Sequence, residues 1–300
     1  MVNEENVDGR LDRKFEAWSE MTGEYRAGVR TLTEYQVVQE LVGLLPYADW
    51  LDRAPDVGRK QMLIAKIQDE VGHGHIVARV AEDLGGDRDQ ILTDFVEGKA
   101  KLVNAFHYRF ETWEEFGPAA LLGNSTALVQ FQSLKHGTYL PYARALKKIE
   151  REESFHYHHA LDLTHEMMTS GNEQQRTLVQ EAFEKWFPRM LAVFGPDDSE
   201  KIRNNPLYQM GLKVASNHEL RQRWVAKMVP VFQSLGVRVD PALASYDSDT
   251  DRWNYAMPDW KEVANLVRNG GPAYHLWVEK IRRSLARNSV YRDVALSQAA

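Results

Sequence analysis

The chain has 300 residues, of which 43% are hydrophobic and 27% charged, and its formal net charge is −6. This balance is typical of a globular protein and excludes a largely disordered chain, while the acidic charge argues against a general nucleic-acid or acidic-membrane surface. There is no cysteine, which excludes disulfides, thiolate zinc sites and iron–sulfur clusters within the chain, so any redox chemistry must use oxygen and nitrogen ligands.

The length suits one main domain with an appended tail. No apolar run approaches the length that spans a bilayer, and the opening Met1–Glu5 is neither basic nor followed by a hydrophobic stretch. We therefore expect a soluble, cytoplasmic protein that binds neither nucleic acid nor membrane.

The first half of the chain carries the strongest helical patterns, because apolar side chains recur there at the spacing of one helix face. Turn signals separate these patterns. In chain order, the predicted elements are an arm or short helix over residues 1–25, a helix over 31–50, a helix from Leu63 to a stop near Gly85-Gly86, a more polar helix and a loop over 88–115, and helices from about Pro118 to Phe131 and from about Pro141 to Met168.

The second half begins after the stop at Ser170-Gly171-Asn172 and contains almost no strand signal. Its predicted elements are helices over 173–192 and 206–235, an Asp- and Ser-rich linker over 239–252, and one or two helices over 258–294 around the break at Gly270-Gly271-Pro272. The fold class is therefore all-α. The predicted organisation is a main helical domain over residues 1–238 and a linker with a C-terminal helical tail over residues 239–300.

The spacing Glu-x-x-His occurs twice, at Glu70–His73 and at Glu153–His156. Residues three apart on a helix share a face, so a carboxylate and an imidazole at this spacing can reach one metal ion. In four-helix bundles, two such motifs and one carboxylate from each of the other two helices hold a pair of iron or manganese ions.

The positions of the two motifs matter more than the motif itself, which a chain of this composition should contain roughly once by chance. Glu70 lies seven residues from both Leu63 and Val77, and Glu153 lies four residues after Ile149. Both carboxylates should therefore point inward. Since an unpaired buried carboxylate costs several kcal/mol, each should be paired, protonated or metal-bound.

The first helix supplies a matching acid, Glu40, on its apolar stripe and thirty positions before Glu70. The same offset before Glu153 leads to Gly123 or Asn124, in a region without any acid. Asn124 is the best-placed polar group there, because its carbonyl oxygen could bind a hard metal ion. It is the weakest of the predicted ligands.

Other interpretations of these residues stay open. An inward glutamate is more often paired with a basic side chain than with a metal, and Lys66, one turn before Glu70, is a plausible partner. Glu152 competes with Glu153 for the ligand role, although only Glu153 has the three-residue spacing to the following histidine. The next histidines along the helix, His158 and His159, should be surface groups or outer neighbours of the site.

Small and aromatic residues near the motifs also allow two interpretations. Gly72 and Gly74 flank His73 and could admit a substrate or another helix close to the metals, or simply allow tight helix packing. Tyr47, seven residues after Glu40, should face the same interior. A core aromatic is favoured there over a hydroxyl that supports the site.

The sequence resembles the oxygenase component of the multicomponent phenylacetyl-CoA epoxidase (ring-1,2-monooxygenase) family. The blocks that carry the resemblance span most of the chain in the family's order, and they are Glu40–Pro46, Ala65–Gly74, Pro141–Ala145, Glu152–His156 and Asn217–Arg223. The resemblance implies a ferritin-like four-helix bundle with additional helices and a C-terminal extension. In that family a di-iron centre activates O2 and inserts one oxygen atom across the aromatic ring of phenylacetyl-CoA.

The resemblance also implies partners. Electrons would arrive from NADPH through a separate flavin and iron–sulfur reductase, which suits a chain without cysteine. A structural subunit of similar fold that lacks the metal ligands and a small bridging subunit would complete the assembly.

Residue by residue, the resemblance implies a role for several positions. The five that match the family's iron ligands are Glu40, Glu70, His73, Glu153 and His156. Lys66 matches a lysine beside the site, and Lys101 and Lys213 match positions that bind the CoA phosphates, where a point charge suits a phosphate. These last two could equally be ordinary solvated lysines. Lys66, Tyr47 and Asn124 are the candidate catalytic positions.

Two positions depart from the family pattern, which usually has an acid where this chain has Tyr47 and an aspartate where it has Asn124. A neutral amide in place of an anionic ligand leaves one iron less charge-compensated, which should weaken its binding and raise its reduction potential. The departures put in doubt whether the native substrate and rate match those of typical members.

Three functions remain to be separated. The leading one is the oxygenase subunit of an aryl-CoA epoxidase. The second is iron oxidation of the ferritin or rubrerythrin type with the same ligands, which the long C-terminal extension argues against. The third is a non-catalytic scaffold subunit, motivated by Tyr47 and Asn124 and opposed by the five retained ligands.

Overall fold

The computed structural model describes residues 13–197, 199–200 and 204–298, with side chains as far as Ser289. The predicted all-α class is confirmed, and most of the predicted arm, residues 1–12, lies outside the described residues. The helices are α1 (Gly23–Trp50), α2 (Val57–Asp83), α3 (Arg88–Val96), α4 (Trp113–Leu134), α5 (Leu140–Ser170), α6 (Glu173–Leu191), α7 (Pro206–Gln209), α8 (Asn217–Ser234), α9 (Trp260–Asn269) and α10 (Pro272–Gln298). Two strands follow α8: β1 (Ala244–Asp247) and β2 (Arg252–Tyr255).

Side-chain caps fix where the long helices begin. The first helix starts at Gly23 rather than at residue 31, because the Thr22 hydroxyl accepts a hydrogen bond from the backbone N–H of Tyr25 at 3.3 Å. The Asp56 carboxylate caps α2 in the same way, by accepting from the N–H of Arg59 at 2.8 Å. These polar residues precede the apolar stripes and so lie outside the hydrophobic pattern that sequence periodicity detects.

Four of the helices form the bundle that positions the site. The helix α1 packs along α2, α4 packs along α5, and contacts between α2 and α5 join the two pairs. The helices α6 and α8 pack on the outer side of α4. This arrangement is a ferritin-like four-helix bundle with additional helices, as the resemblance implied.

Two predicted elements are wrong in the second half. The single helix predicted over residues 206–235 is two helices, interrupted at Gly211, where the backbone φ of +72° is incompatible with a right-handed helix. The predicted linker over residues 239–252 contains β1 and the start of β2, which pair antiparallel. Tyr246 lies directly opposite Trp253 across this hairpin, and aromatic cross-strand pairs stabilise such a ribbon.

The C-terminal tail packs on the bundle. The predicted break is confirmed, since α9 ends at Gly270 with a φ of +80° and α10 begins at Pro272. In α10 the indole N–H of Trp277 donates to the Asp49 carboxylate at 3.2 Å, and Lys280 pairs with the same carboxylate at 2.5 Å. The division into a main domain, residues 1–238, and a tail stays a prediction. Among the described helices, none combines the length and the apolar character that crossing a bilayer requires.

The two glycines that flank His73 have different surroundings. A Cβ at Gly74 would lie 2.6 Å from Cδ2 and 2.7 Å from Cγ of Leu41, so the close approach of α1 to α2 depends on this glycine. A Cβ at Gly72 would meet no atom of the described residues within 4 Å. Gly74 therefore serves helix packing.

We expect Gly74→Ala to be less stable than Gly72→Ala by about 1–3 kcal/mol, the usual cost of overpacking. Both substitutions replace a helical glycine, so both gain the same helix propensity, roughly 1 kcal/mol, and the difference isolates the contact with Leu41. Chemical denaturation of the two variants in parallel measures it. Equal unfolding free energies would show that Leu41 repacks without cost.

Candidate metal centre

Three helices bring the predicted ligands to one point in the bundle. Glu40 comes from α1, Glu70 and His73 from α2, and Glu153 and His156 from α5. All five are buried, with at most 6% of their surface exposed. One ligand atom from each of Glu40, Glu70, His73 and Glu153 lies within 4.8 Å of the others, and His156 lies beside them.

The carboxylates are shared unequally between the two imidazoles. Nδ1 of His73 lies 3.4 Å from Glu153 Oε1, 3.6 Å from Glu40 Oε2 and 4.0 Å from Glu70 Oε2. Nδ1 of His156 lies 3.4 Å from Glu70 Oε1 and 3.4 Å from Glu153 Oε1. Glu70 and Glu153 therefore lie between the two rings, and Glu40 faces His73.

Two outer carboxylates hold the imidazoles from behind, each from the opposite helix. Nε2 of His73 lies 3.1 Å from Glu152 Oε2, and Nε2 of His156 lies 3.2 Å from Asp69 Oδ2. A carboxylate at Nε2 keeps the proton on that nitrogen and leaves the Nδ1 lone pair for a metal. Sequence reasoning treated Glu152 as a competing ligand and missed Asp69. The signal was present, since an acid directly precedes both Glu-x-x-His motifs.

A chain of hydrogen bonds outside the cluster also supports the Glu40 carboxylate. Its Oε1 accepts a hydrogen bond from Gln36 Nε2 at 2.7 Å, and Gln36 Oε1 in turn accepts from the hydroxyl of Tyr142 on α5. Gln36 is 7% exposed and Tyr142 1%. This buried chain fixes the orientation of the Glu40 carboxylate and leaves its other oxygen directed at the cluster.

The electrostatics of the cluster follow from crowding acids and imidazoles in a buried space. Burial alone would lower the pKa of His73, but Glu153 and Glu40 outweigh it and raise the pKa to about 11. Burial likewise opposes charge on His156, whose pKa Glu153 and Glu70 raise to about 9. Burial raises the pKa of Glu70 to about 7, and the neighbouring charge of Glu153 adds to this shift. A bound cation would replace the imidazole protons that balance these carboxylates.

The residues fit two hard or intermediate metal ions. Nδ1 of His73 and Nδ1 of His156 are both buried without a hydrogen-bond partner in the described part of the chain, although each faces carboxylate oxygens. Orphaned buried nitrogens are costly unless something binds them. Imidazole nitrogens and carboxylate oxygens are the donors that iron and manganese take in helical bundles.

Lys66 is fully buried beside the cluster. Its Nζ donates to the backbone carbonyl of His156 at 3.2 Å and lies 5.0 Å from the centre of the Tyr47 ring. Burial lowers the pKa of Lys66 to about 8, although Glu153 and Glu70 oppose the shift. The structure shows no Lys66–Glu70 ion pair; the amine instead lies between α5 and Tyr47.

Tyr47 and Asn124 form a pair at the same side of the cluster. The Tyr47 hydroxyl donates to Asn124 Oδ1 at 3.0 Å, and Asn124 Nδ2 is buried with no hydrogen-bond partner among the residues that the structure describes. The Tyr47 ring also packs edge-on against Phe116 at 5.9 Å and against His156 at 6.4 Å. Tyr47 is therefore the predicted core aromatic, and in addition its hydroxyl binds the candidate fourth-helix ligand.

The remaining predicted positions lie outside the set of five candidate ligands. His158 is exposed, whereas His159 is 4% exposed and neither of its ring nitrogens is hydrogen-bonded to a described residue. Lys101 is exposed, and Nζ of the half-buried Lys213 lies 5.6 Å from the Tyr208 ring centre. The phosphate-binding role of the two lysines stays a prediction.

A cavity of about 230 Å³ opens onto the cluster from the side of α1 and α4. Glu40, Glu70 and Glu153 form part of its wall, together with Tyr47 and Asn124. The rest is mainly apolar. The aromatic members of the lining are Tyr35, Phe106, Tyr108, Phe110, Phe131, Tyr142 and Trp186, and the glycines are Gly43 and Gly123.

The structure is a helical bundle in which two Glu-x-x-His motifs converge on shared buried carboxylates, the arrangement by which helical bundles hold a pair of metal ions. Comparison with known proteins narrows the class of protein. Residues 8–275 match the family model described as "Phenylacetic acid catabolic protein", and the chain belongs to this family. It is also 30% identical over 302 residues to one of the subunits of the 1,2-phenylacetyl-CoA epoxidase of Escherichia coli (strain K12), covering 100% of this chain and 97% of that protein. The resemblance predicted from the sequence blocks is confirmed.

Proposed function

We propose that the chain is the catalytic oxygenase subunit of a multicomponent di-iron monooxygenase that epoxidises the aromatic ring of phenylacetyl-CoA or a related aryl-CoA. Glu40, Glu70, His73, Glu153 and His156 would hold the two iron ions. The observation that carries the proposal is the pair of orphaned imidazole nitrogens directed at shared carboxylates, at the end of an apolar cavity. The full-length similarity to an epoxidase subunit supports the substrate class.

The bound iron pair would supply the activation of O2. In the overall reaction one oxygen atom enters the ring, and the other leaves as water after the uptake of two electrons and two protons. The electrons would come from NADPH through a separate flavin and iron–sulfur reductase, because this chain has no cysteine to hold such a cluster. Two further proteins, one structural and one small and bridging, would complete the complex.

The size of the cavity supports an aryl substrate with its CoA outside. An engineered apolar cavity of roughly 150 Å³ holds benzene, so about 230 Å³ is enough for a phenyl ring and its acyl linkage. The nucleotide portion of CoA does not fit in such a volume. Lys101 and Lys213, if they bind its phosphates as proposed, would act from outside the cavity, since neither is among its lining residues.

The protein's own residues would position and isolate the reaction. Asp69 and Glu152 hold the imidazoles, and Gln36 holds Glu40, so the ligands are preorganised before a metal binds. Phe106, Phe110 and Trp186 line the cavity with apolar surface, which excludes water from the ring and from reactive oxygen.

The experiment is anaerobic loading of the purified full-length chain with Fe(II), followed by iron analysis and by an assay with partner subunits, reductase, NADPH and phenylacetyl-CoA. We expect close to two irons per chain, and consumption of the CoA ester that requires both O2 and NADPH. Full iron occupancy without turnover of any aryl-CoA would count decisively against the proposal.

One observation favours a second candidate, a non-catalytic scaffold subunit. Tyr47 and Asn124 bind each other beside the cluster, where the family usually has acids. The same iron analysis separates the two functions: less than about one iron per chain after loading favours the scaffold.

A further inference from the structure

We propose that the two metal positions are unequal, so that an ion beside His73 binds tightly and an ion beside His156 binds weakly, because the Tyr47–Asn124 hydrogen bond occupies the place of a third carboxylate. This inference rests on the proposed di-metal function. It concerns which position is weak and which side chains make it so.

The unequal distribution of charge is visible in the distances. His73 Nδ1 faces carboxylate oxygens of three residues, Glu40, Glu70 and Glu153, at 3.4–4.0 Å. Among the described residues, His156 Nδ1 faces only the two shared carboxylates, both at 3.4 Å. An ion beside His73 would thus have one carboxylate of its own, whereas an ion beside His156 would have none.

Two neutral side chains, Tyr47 and Asn124, lie on the His156 side of the cluster. The Tyr47 ring contacts the His156 ring edge-on, with centroids 6.4 Å apart. Its hydroxyl donates to Asn124 Oδ1 at 3.0 Å, and this amide oxygen is the metal-binding atom that α4 offers at the position predicted from the Glu40 offset. The phenol thus engages one of the two lone pairs of the amide oxygen, which leaves it a poorer donor to a cation.

Lys66 adds to the difference in charge between the two metal positions. Its amine donates to the His156 backbone carbonyl at 3.2 Å and lies over the Tyr47 ring, so the basic side chain of the site is on the side with fewer carboxylates. Glu40, in contrast, is oriented by Gln36 on the His73 side. The outer carboxylates Glu152 and Asp69 support the two imidazoles alike, so the positions of Glu40 and Lys66 favour the His73 position for the first cation.

The test is an anaerobic titration of the full-length apoprotein with Co(II), followed by its visible absorption and by calorimetry. The expected wild-type result is two steps of one equivalent each, with the second at least about tenfold weaker. Asn124→Asp, which keeps the shape and adds a carboxylate, should tighten the second step by about 10- to 100-fold and leave the first unchanged. His156→Ala should remove the weak step and His73→Ala the tight one.

Tyr47→Phe tests the hydrogen bond itself. Loss of the hydroxyl releases Asn124 Oδ1, so the second step should tighten several-fold. Tyr25→Phe is the matched control, because Tyr25 is a fully buried tyrosine of the same helix whose hydroxyl contacts Thr138, and both steps should stay as in the wild type.

The outcomes separate this inference from the proposed function. Four results would overturn the inequality while leaving a di-metal protein. In the wild type, this result is two equal steps. In the variants, it is a second step that Asn124→Asp leaves unchanged, a second step that Tyr47→Phe weakens, or loss of the tight step in His156→Ala. Failure of the wild type to bind any Co(II) or Fe(II) would instead overturn the proposed function. Circular dichroism of each variant confirms that the helices are intact.

Discussion

Glu153→Gln is expected to weaken binding of both metal ions by at least about 100-fold. Oε1 of Glu153 lies 3.4 Å from Nδ1 of both His73 and His156, so the substitution removes the negative charge of the one carboxylate oxygen that both positions share at this distance. Changes to outer residues alone typically cost roughly 10- to 100-fold in metal affinity. Metal content after anaerobic loading and gel filtration, with a Co(II) titration, measures the effect.

The matched control is Glu150→Gln, one turn earlier on the same helix. Glu150 pairs with Lys135 at 2.6 Å, away from the cluster, so this variant should retain its metal. Retention of both ions by Glu153→Gln would show that Glu153 is held by the histidines in an ordinary ion-pair network. The fold should tolerate Glu153→Gln, because the neutral amide removes a buried charge that otherwise needs counter-charges.

The sequence contained enough to predict that the five candidate ligands are buried, because each lies at a position where helical geometry leaves little choice. Glu70 and Glu153 follow the apolar stripes of α2 and α5, and the three-residue spacing places a histidine on the same face. Glu40 follows the stripe of α1. Periodicity therefore predicted that these side chains are buried, and the cost of burying an acid predicted that they share a partner.

The outer residues could not be predicted in the same way, because their roles depend on how α2 and α5 face each other. Asp69 and Glu152 are 30% and 33% exposed at their side chains, and a half-exposed acid beside a buried one gives no periodic signal. The crossed pairing, in which each acid supports the histidine of the other helix, is a tertiary contact. The Tyr47–Asn124 hydrogen bond between α1 and α4 is of the same kind.

The errors in the fold have local causes. Apolar periodicity places the start of α1 too late, because a cap, Thr22, and not an apolar residue sets it. The hairpin was missed because β1 and β2 are only four residues each, and their Asp- and Ser-rich turn dominates the composition of the segment. In both cases a few side-chain contacts set the backbone conformation, and a pattern averaged over many residues does not detect such contacts.

Gly123→Leu is expected to lower kcat/KM for phenylacetyl-CoA by at least about 100-fold while leaving the iron content unchanged. Gly123 lines the cavity on α4, and a Cβ there would lie 3.6 Å from Met190 Cε, an ordinary contact that the helix tolerates. A leucine would extend further into the space proposed for the aryl ring. A single methylene is already worth roughly 10- to 200-fold in discrimination.

Gly123→Ala is the matched control for this substitution, because it brings the same change of helix propensity with a much smaller side chain, and a few-fold loss is expected. Steady-state kinetics with the partner subunits, together with iron analysis, distinguish a filled cavity from a damaged site. Unchanged turnover in Gly123→Leu would mean that the ring reaches the metals by another route. Loss of iron would mean that the leucine disturbs α4 at the adjacent Asn124. Retained iron with lost turnover would connect the cavity to the substrate independently of the ligands.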